Sequence, residues 1–346
     1  MINRNIELSE EEVVKRFKSG EAYQWAKNVY SKNVLREKDI VLSEDEEAFS
    51  QVVNTMVNDA WKYGKTEARE SIAQIVVDII EPIIFEVPNE VLTQFLTDKG
   101  SYGEFDMVRI RKSPKNTLVA RQVANRTGNV DKSYLDVAEG NTMETVLQIE
   151  TEIPMSNLRR DGAVGVATLA MYAIEEFDKQ KFKAILSYVD KLITGGTQVF
   201  GVTGAWTAGA TQSLTDYTYD NAVTGKEPLI VGLSNRIREM CRAIGADFYS
   251  ETMKGTLNDL SLLQVLNGCK LVPVLKGKKT GDDQTLLPEN RVFGFSGTIG
   301  EMYTKGQMFT RTTEENNGEK ISFKFSGVEF GICVTDTQYI SKITIS

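Results

Sequence analysis

The feature that most constrains this chain is the stretch from Asp161 to Ile193, which reads as helix without a break for longer than any other segment. Apolar residues recur at Val164, Ala167, Met171, Ile174 and Phe177, skip five positions to Phe182, and resume at Ile185, Val189 and Leu192. That is the spacing of one buried helical stripe. Asp161 is placed to cap the first turn, and Gly195-Gly196 to supply a left-handed exit. At 1.5 Å per residue the helix is about 50 Å long, well beyond the average globular helix of about 11–12 residues. Periodicity alone fits an oversized core helix or a coiled-coil arm; the flanking segments narrow the choice.

A chain of 346 residues is enough for about two domains and a sizeable core. Its net charge of -8, with no basic tail, is unlike a dedicated nucleic-acid binder. Histidine is absent, which removes Ser-His-Asp and Cys-His catalysis and His-based metal sites. Cys241, Cys269 and Cys333 each sit in an apolar run and read as buried free thiols. Neither a signal peptide nor a membrane span is read, so the protein is expected in the cytoplasm with no membrane partner.

Residues 1–65 read as an acidic, helical, poorly cored arm. Ser9–Glu12 and Ser43–Glu46 have the capping-box form and each opens a helix. Between them Tyr23, Trp25, Val29 and Tyr30 make a narrow apolar stripe that fits docking on a partner subunit or on the chain's own body. A helix is expected from Ala68 to Ile80, ended by Pro82, then a short strand at Ile83–Phe85 and a second helix through Leu96. From Gly103 to Ile153 come alternating strands at Asp106–Arg111, Leu118–Val123 and Val146–Ile153, separated by turn chemistry at Ser113–Asn116, Asn125–Asn129 and Glu139–Asn141. Arg109, Arg111, Lys112, Lys115, Arg121, Arg126 and Lys132 outnumber the acids there and give the segment Glu104–Lys132 a net charge of +4. A hairpin of this length cannot bury its apolar side on itself, and its sign, opposite to the arm's, suggests another copy as the surface it lies on.

Beyond the long helix, Phe200–Gly225 reads as loop and short strands, Leu229–Ile244 as a helix, and Asp247–Tyr249 and Leu257–Leu266 as a strand and a helix. Lys270–Leu275 and Arg291–Phe295 read as buried strands. These form an α/β unit whose tip, Lys276 to Asp283, sets Lys276, Lys278 and Lys279 beside Asp282 and Asp283, either a solvated loop or a subunit contact. Met308–Thr313 and Lys320–Phe325 flank Glu314, Glu315 and the hairpin signal Asn317-Gly318; Glu329–Thr335 and Ile340–Ile345 complete a small antiparallel sheet. The whole reads as α+β. Gly64-Lys-Thr66 lacks the glycine a phosphate loop needs, and Gly294–Gly300 reads as a tight strand exit.

This order of parts, closing on GVEFGICVTDTQYISKITI, resembles the major capsid protein of tailed double-stranded DNA phages with the Hong Kong 97 phage type of fold. The resemblance implies an N-terminal arm at 1–65, the start of a peripheral domain at 66–102 and an extended loop at 103–153. It further implies a peripheral domain with a spine helix at 154–225, an axial domain at 226–305, and peripheral strands with their loop at 306–346. It implies no enzyme and no cofactor, but a subunit that assembles with itself into pentamers and hexamers of an icosahedral shell around DNA. Scaffolding, portal and decoration proteins would be its partners and the virion its destination. Subunit-contact candidates are then the seven bases of the loop, Lys276, Lys278, Lys279, Asp282, Asp283, Glu314, Glu315 and Trp25. A cellular nanocompartment shell of the same fold is the alternative, and a carboxylate- or lysine-dependent enzyme a more remote one.

Overall fold

The computed structural model describes residues 21–63, 66–86, 90–103, 106, 108, 113–115, 136–138, 141–204, 206–223, 225–244, 263–275, 285, 287–315 and 320–345. In chain order these give α1 (Glu21–Tyr30), continued by a wide helical turn at Ser31–Leu35, then α2 (Glu44–Tyr63), α3 (Thr66–Glu86) and β1 (Leu96–Tyr102). Next come β2 (Ser113–Lys115), β3 (Asp136–Ala138), β4 (Asn141–Pro154), α4 (Met155–Leu192), β5 (Val199–Val202) and α5 (Ala208–Asp220). The remainder is β6 (Leu229–Leu233), α6 (Ser234–Ala243), β7 (Val265–Leu266), β8 (Cys269–Val274), β9 (Arg291–Phe295), β10 (Gly300–Lys305), β11 (Phe309–Glu315), β12 (Lys320–Val334) and β13 (Ile340–Ile345).

The long helix is present and begins six residues before Asp161, at Met155. It is broken once, at Gly162 (φ 50°, ψ −129°), so that Asp161 pairs with Arg160 and does not cap. The new first turn is capped from another helix: Asn54 Oδ1 on α2 accepts from the Ala163 N–H at 2.9 Å. A Cβ on residue 162 would stand 2.0 Å from that oxygen, so only glycine admits both the dihedral and the cap. Gly162→Ala is expected to cost about 2–3 kcal/mol and Asn54→Ala about 1 kcal/mol, read as shifts of the urea unfolding midpoint.

Helix α4 runs through two cores. Val166, Ala170, Ile174 and Phe177 pack with α1, α2 and α3 and with Ile321, Phe323 and Phe325 of β12. Phe182, Ile185, Leu186 and Val189 pack instead with Phe95, Phe293, Phe295, Phe330, Ile332 and Ile340. The five-residue skip in the stripe is where one core gives way to the other. The stripe faces β12 along both halves, and α1, α2 and α3 cover the first half as well.

Two sheets flank it. In the first, β12 is central, with β4 along one side and β10 and β11 along the other, and β1 joins β10 in parallel. Gly300 opens β10 so close to β12 that a Cβ would lie 2.0 Å from the Cys333 carbonyl, which accounts for a glycine at that strand start. The second sheet has the order β5-β13-β9-β6-β8-β7. The closing strands therefore do not form one small sheet: β12 joins the first, and β13 joins the second, antiparallel to β9 and parallel to β5. The strands of 229–295 likewise share their sheet with β5 and β13.

Several local expectations change. Pro82 lies inside α3 and does not end it, and Ile83–Phe85 are helical, because Ile84 and Phe85 bury their side chains in the first core. A 3₁₀ turn at Leu92–Gln94 replaces the second helix. The Thr-rich segment is α5: Thr207 accepts from the Ala210 N–H at 3.3 Å, and Thr211 and Thr218 turn their hydroxyls onto carbonyls four residues back. Leu229–Leu233 is a fully buried strand and helix α6 starts only at Ser234. Val265-Leu266 is strand, tied to β8 through Asn267-Gly268. Ser113–Lys115 is strand paired with Asp136–Ala138, not a turn. Nor are residues 21–63 poorly cored, since Trp25, Val29, Phe49, Val53 and Val57 are all buried. The capping box at Ser43 is formed, with the Ser43 N–H on Glu46 Oε2 at 2.7 Å and the Glu46 N–H on Ser43 Oγ at 3.4 Å.

Candidate assembly surface

The outer face of the first sheet is striped by charge because the strand period is two. On β4, Leu147, Ile149 and Ile153 turn toward the core, leaving Gln148, Glu150 and Glu152 exposed. On β12, Ser322 and Lys324 stand opposite Glu152 and Glu150, and Lys320 reaches Glu152 at 3.1 Å. On β11, Arg311 stands opposite Lys324. The face thus runs from an acidic row to a basic one. Val146 and Phe309 are each more than half exposed on it, at 56% and 51%. Exposed ion pairs of this kind add little stability, about 0–1 kcal/mol each, and act mainly on which surface can approach.

Of the contact candidates read from sequence, Arg109, Arg111, Lys112, Arg121, Arg126, Lys132, Lys276, Lys278, Lys279, Asp282 and Asp283 lie outside the described residues, as do Ser9–Glu12, Leu118–Val123 and Asn317-Gly318. Lys115 lies in β2 opposite Asp136, in a two-stranded ladder that among the described residues joins neither large sheet. Glu314 and Glu315 end β11 opposite Ile321 and Lys320. Trp25 is placed differently from the partner-contact reading: it is 9% exposed, its ring 6.2 Å from that of Phe49, within the chain's own first core. Sequence reasoning missed Val146, Phe309, Arg311 and Lys324; the alternation along β4, β11 and β12 carried the signal for all four.

Buried polar groups serve to join elements. Asp190 of α4 accepts from Lys342 of β13 at 2.7 Å and from Arg291 of β9 at 3.2 Å. The Tyr303 hydroxyl donates to Glu144, and burial together with that bond pushes its pKa up. Cys241, Cys269 and Cys333 are buried free thiols, and burial pushes all three upward in pKa, Cys269 to about 12. Such thiols are poor nucleophiles. Among the described residues no cluster of side chains could hold a metal ion, and no described helix is long and apolar enough to cross a membrane.

The fold is therefore a mixed α+β one, two sheets on a long two-core helix. Among solved structures, the chain matches the capsid of the cyanophage P-SCSP1u over 71% of its own length and 86% of that chain, at 11% identity and TM-score 0.44. It matches the procapsid of satellite phage P4 over 88% and 98%, at 10% identity and TM-score 0.43. It matches a virus-like particle from Pyrococcus furiosus over 79% and 96%, at 11% identity and TM-score 0.40. No family model and no curated protein matches it. These likenesses are distant, and the functional reading below rests on the chain's own architecture.

Proposed function

We propose that this chain is a self-assembling shell subunit, the major capsid protein of a tailed double-stranded DNA phage. The observation that carries this is the helix α4 spanning two separate cores. At 1.5 Å per residue its segment after Gly162, up to Leu192, is about 45 Å long, and each half is covered by different elements. A subunit built along such a spine is broad, with its segments held apart, as a tile of a thin wall must be. The paired strands β2 and β3 support the same reading, because a two-stranded ladder is marginal alone and gains stability by lying on something else. In this reading the basic segment 104–132 lies on a neighbouring copy, contacts are spread over many modest patches, and DNA is enclosed without sequence-specific binding.

Purified protein is expected to form closed shells, visible by negative-stain microscopy and eluting far ahead of a 38.6 kDa monomer in size-exclusion chromatography. A persistent monomer under all assembly conditions would sink the proposal. Particles from producing cells are expected to hold nuclease-protected double-stranded DNA; a protein cargo in its place identifies the nanocompartment alternative.

A further inference from the structure

The turn that joins β7 to β8 is Asn267-Gly268. With φ of 48° and 80°, both residues are left-handed, the tight hairpin turn that an Asn-Gly pair favours. Asn-Gly is also the dipeptide in which the asparagine side chain is most open to attack by the next main-chain nitrogen, because glycine has no side chain to shield it. Two contacts from α5 stand in the way here. The Asn267 amide donates to Thr215 Oγ1 at 3.0 Å, and Gly268 lies so close to the Tyr219 ring that a Cβ there would stand 2.5 Å from Cε2. We propose that this turn is a site of spontaneous covalent modification, latched by Thr215 and Tyr219, and that conversion of Asn267 releases the β7–β8 hairpin from α5. This goes beyond the shell reading and stands without it.

The only co-reactant is water. The Gly268 main-chain nitrogen gives up its proton and bonds to Asn267 Cγ, the bond from Cγ to the side-chain nitrogen breaks, and that nitrogen leaves with the proton as ammonia. A five-membered imide remains. Water then adds to one of its two carbonyls and breaks the bond from that carbon to nitrogen, leaving aspartate or isoaspartate; no group is oxidised or reduced. Water reaches the turn, since Asn267 and Gly268 are both exposed and Gly268 lines an open cavity of 680 Å³ together with Glu227 and Lys270. Ring closure requires the Asn267 amide to leave Thr215 and the turn to rotate against the Tyr219 ring, so those two contacts set its rate.

The product cannot remake the latch. Thr215 is fully buried, and its hydroxyl already gives its proton to the Gln212 carbonyl at 3.0 Å. Asparagine brings a donor to that hydroxyl oxygen, whereas an ionised carboxylate brings acceptors only. Two oxygens then meet with no proton between them. Isoaspartate in addition lengthens the main chain by one carbon in a turn built for two residues. Cys269, the first residue of β8, is fully buried with its thiol on the Thr215 carbonyl at 3.6 Å, and a hairpin freed from α5 uncovers it.

Peptide mapping by mass spectrometry of the purified full chain, held at pH 8 and 37 °C, tests this, with the same chain in guanidinium chloride giving the unlatched rate. Conversion of Asn267 is expected to be slower in the folded parent than in the denatured chain. Thr215→Val and Tyr219→Ala are each expected to raise the folded-state rate about fivefold, the effect of one lost hydrogen bond or a contact of similar strength. Labelling of Cys269 by a thiol reagent is expected to rise in step with conversion and to be faster in Asn267→Asp than in the parent, with Cys333 of the first sheet labelled alike in both. Equal rates in the folded and denatured parent, no rise in the Tyr219→Ala chain, or unchanged Cys269 labelling in Asn267→Asp overturns the proposal. The Tyr219 side chain is 56% exposed, so its variant decides even if Thr215→Val does not fold.

Discussion

Asp190→Ala is expected to lower the unfolding free energy of the unassembled chain by about 3 kcal/mol, the low end of what removing one partner from a buried charge pair costs. Asp190 lies in the last turns of α4 and is the point at which the helix is tied to the second sheet. Lys342 of β13 gives its ammonium to Asp190 twice, to the carboxylate at 2.7 Å and to the main-chain oxygen at 2.9 Å. Arg291 of β9 adds a third bond, and β9 and β13 are neighbours in that sheet. Lys342 is 6% exposed, so without Asp190 its charge is left in the core with one carbonyl for company. The side chains of Asp190 and Arg291 are each about a fifth exposed, which tempers the figure.

A double substitution separates the pair from its parts. Lys342→Met with Asp190→Ala removes the stranded charge and is expected to recover more than half of the loss, since a well-packed apolar pair is often as stable as a buried ionic one. Urea denaturation of the two variants and the parent supplies the comparison. A loss below about 1 kcal/mol for Asp190→Ala would show that the helix is held to the sheet by Val189, Leu186 and their apolar neighbours alone.

What could be read from the sequence was what repeats locally. The capping box at Ser43, the stripe of α4, the alternation of β4 and the buried strands β8 and β9 each carry their pattern within a few residues. What could not be read depended on distant partners. The spacing of Ile230, Leu233, Ile237 and Met240 fits a helix throughout, and only the pairing of Leu229–Leu233 with β8 and β9 makes the first part strand. Thr-rich α5 is a weak helix by propensity; its hydroxyls donate to carbonyls of their own helix, and distant partners add to them, Thr218 meeting Ser341 at 2.9 Å and Asn267 donating to Thr215 at 3.0 Å. Pro82 would stop an isolated helix, but the buried side chains beyond it hold α3 together. The cap that opens the main part of α4 comes from Asn54, 109 positions away, where no local motif could announce it. For the assembly surface, the alternation gave the outward face of β4 but that of β11 was not read, and Trp25 was ambiguous because a narrow stripe looks the same whether a chain's own helix or another copy covers it.

The largest functional effect is expected from deleting 116–135 and joining β2 to β3 by an Asn-Gly turn. The variant is expected to remain folded and monomeric while losing closed shells altogether. The ladder of Ser113–Lys115 with Asp136–Ala138 supplies ends already side by side, so a two-residue turn of type I′ closes them with little change to either strand. The deletion leaves in place the three buried clusters formed by the described residues, so the unfolding transition of the unassembled chain is expected to move by less than about 1 kcal/mol. The deleted segment carries Lys132, Arg121 and Arg126 against Asp131, so the deletion also removes part of the positive charge that the proposed reading lays on a neighbouring copy. If the contact is electrostatic in part, full-length shells should form less readily as salt rises and the Debye length falls from about 10 Å at 0.1 M to about 3 Å at 1 M. Circular dichroism matching the parent, with only monomer in sedimentation velocity, is the expected pair of results. Shells of normal size from the deleted chain would show that 116–135 is no part of the interface and that the contacts lie elsewhere on the sheet.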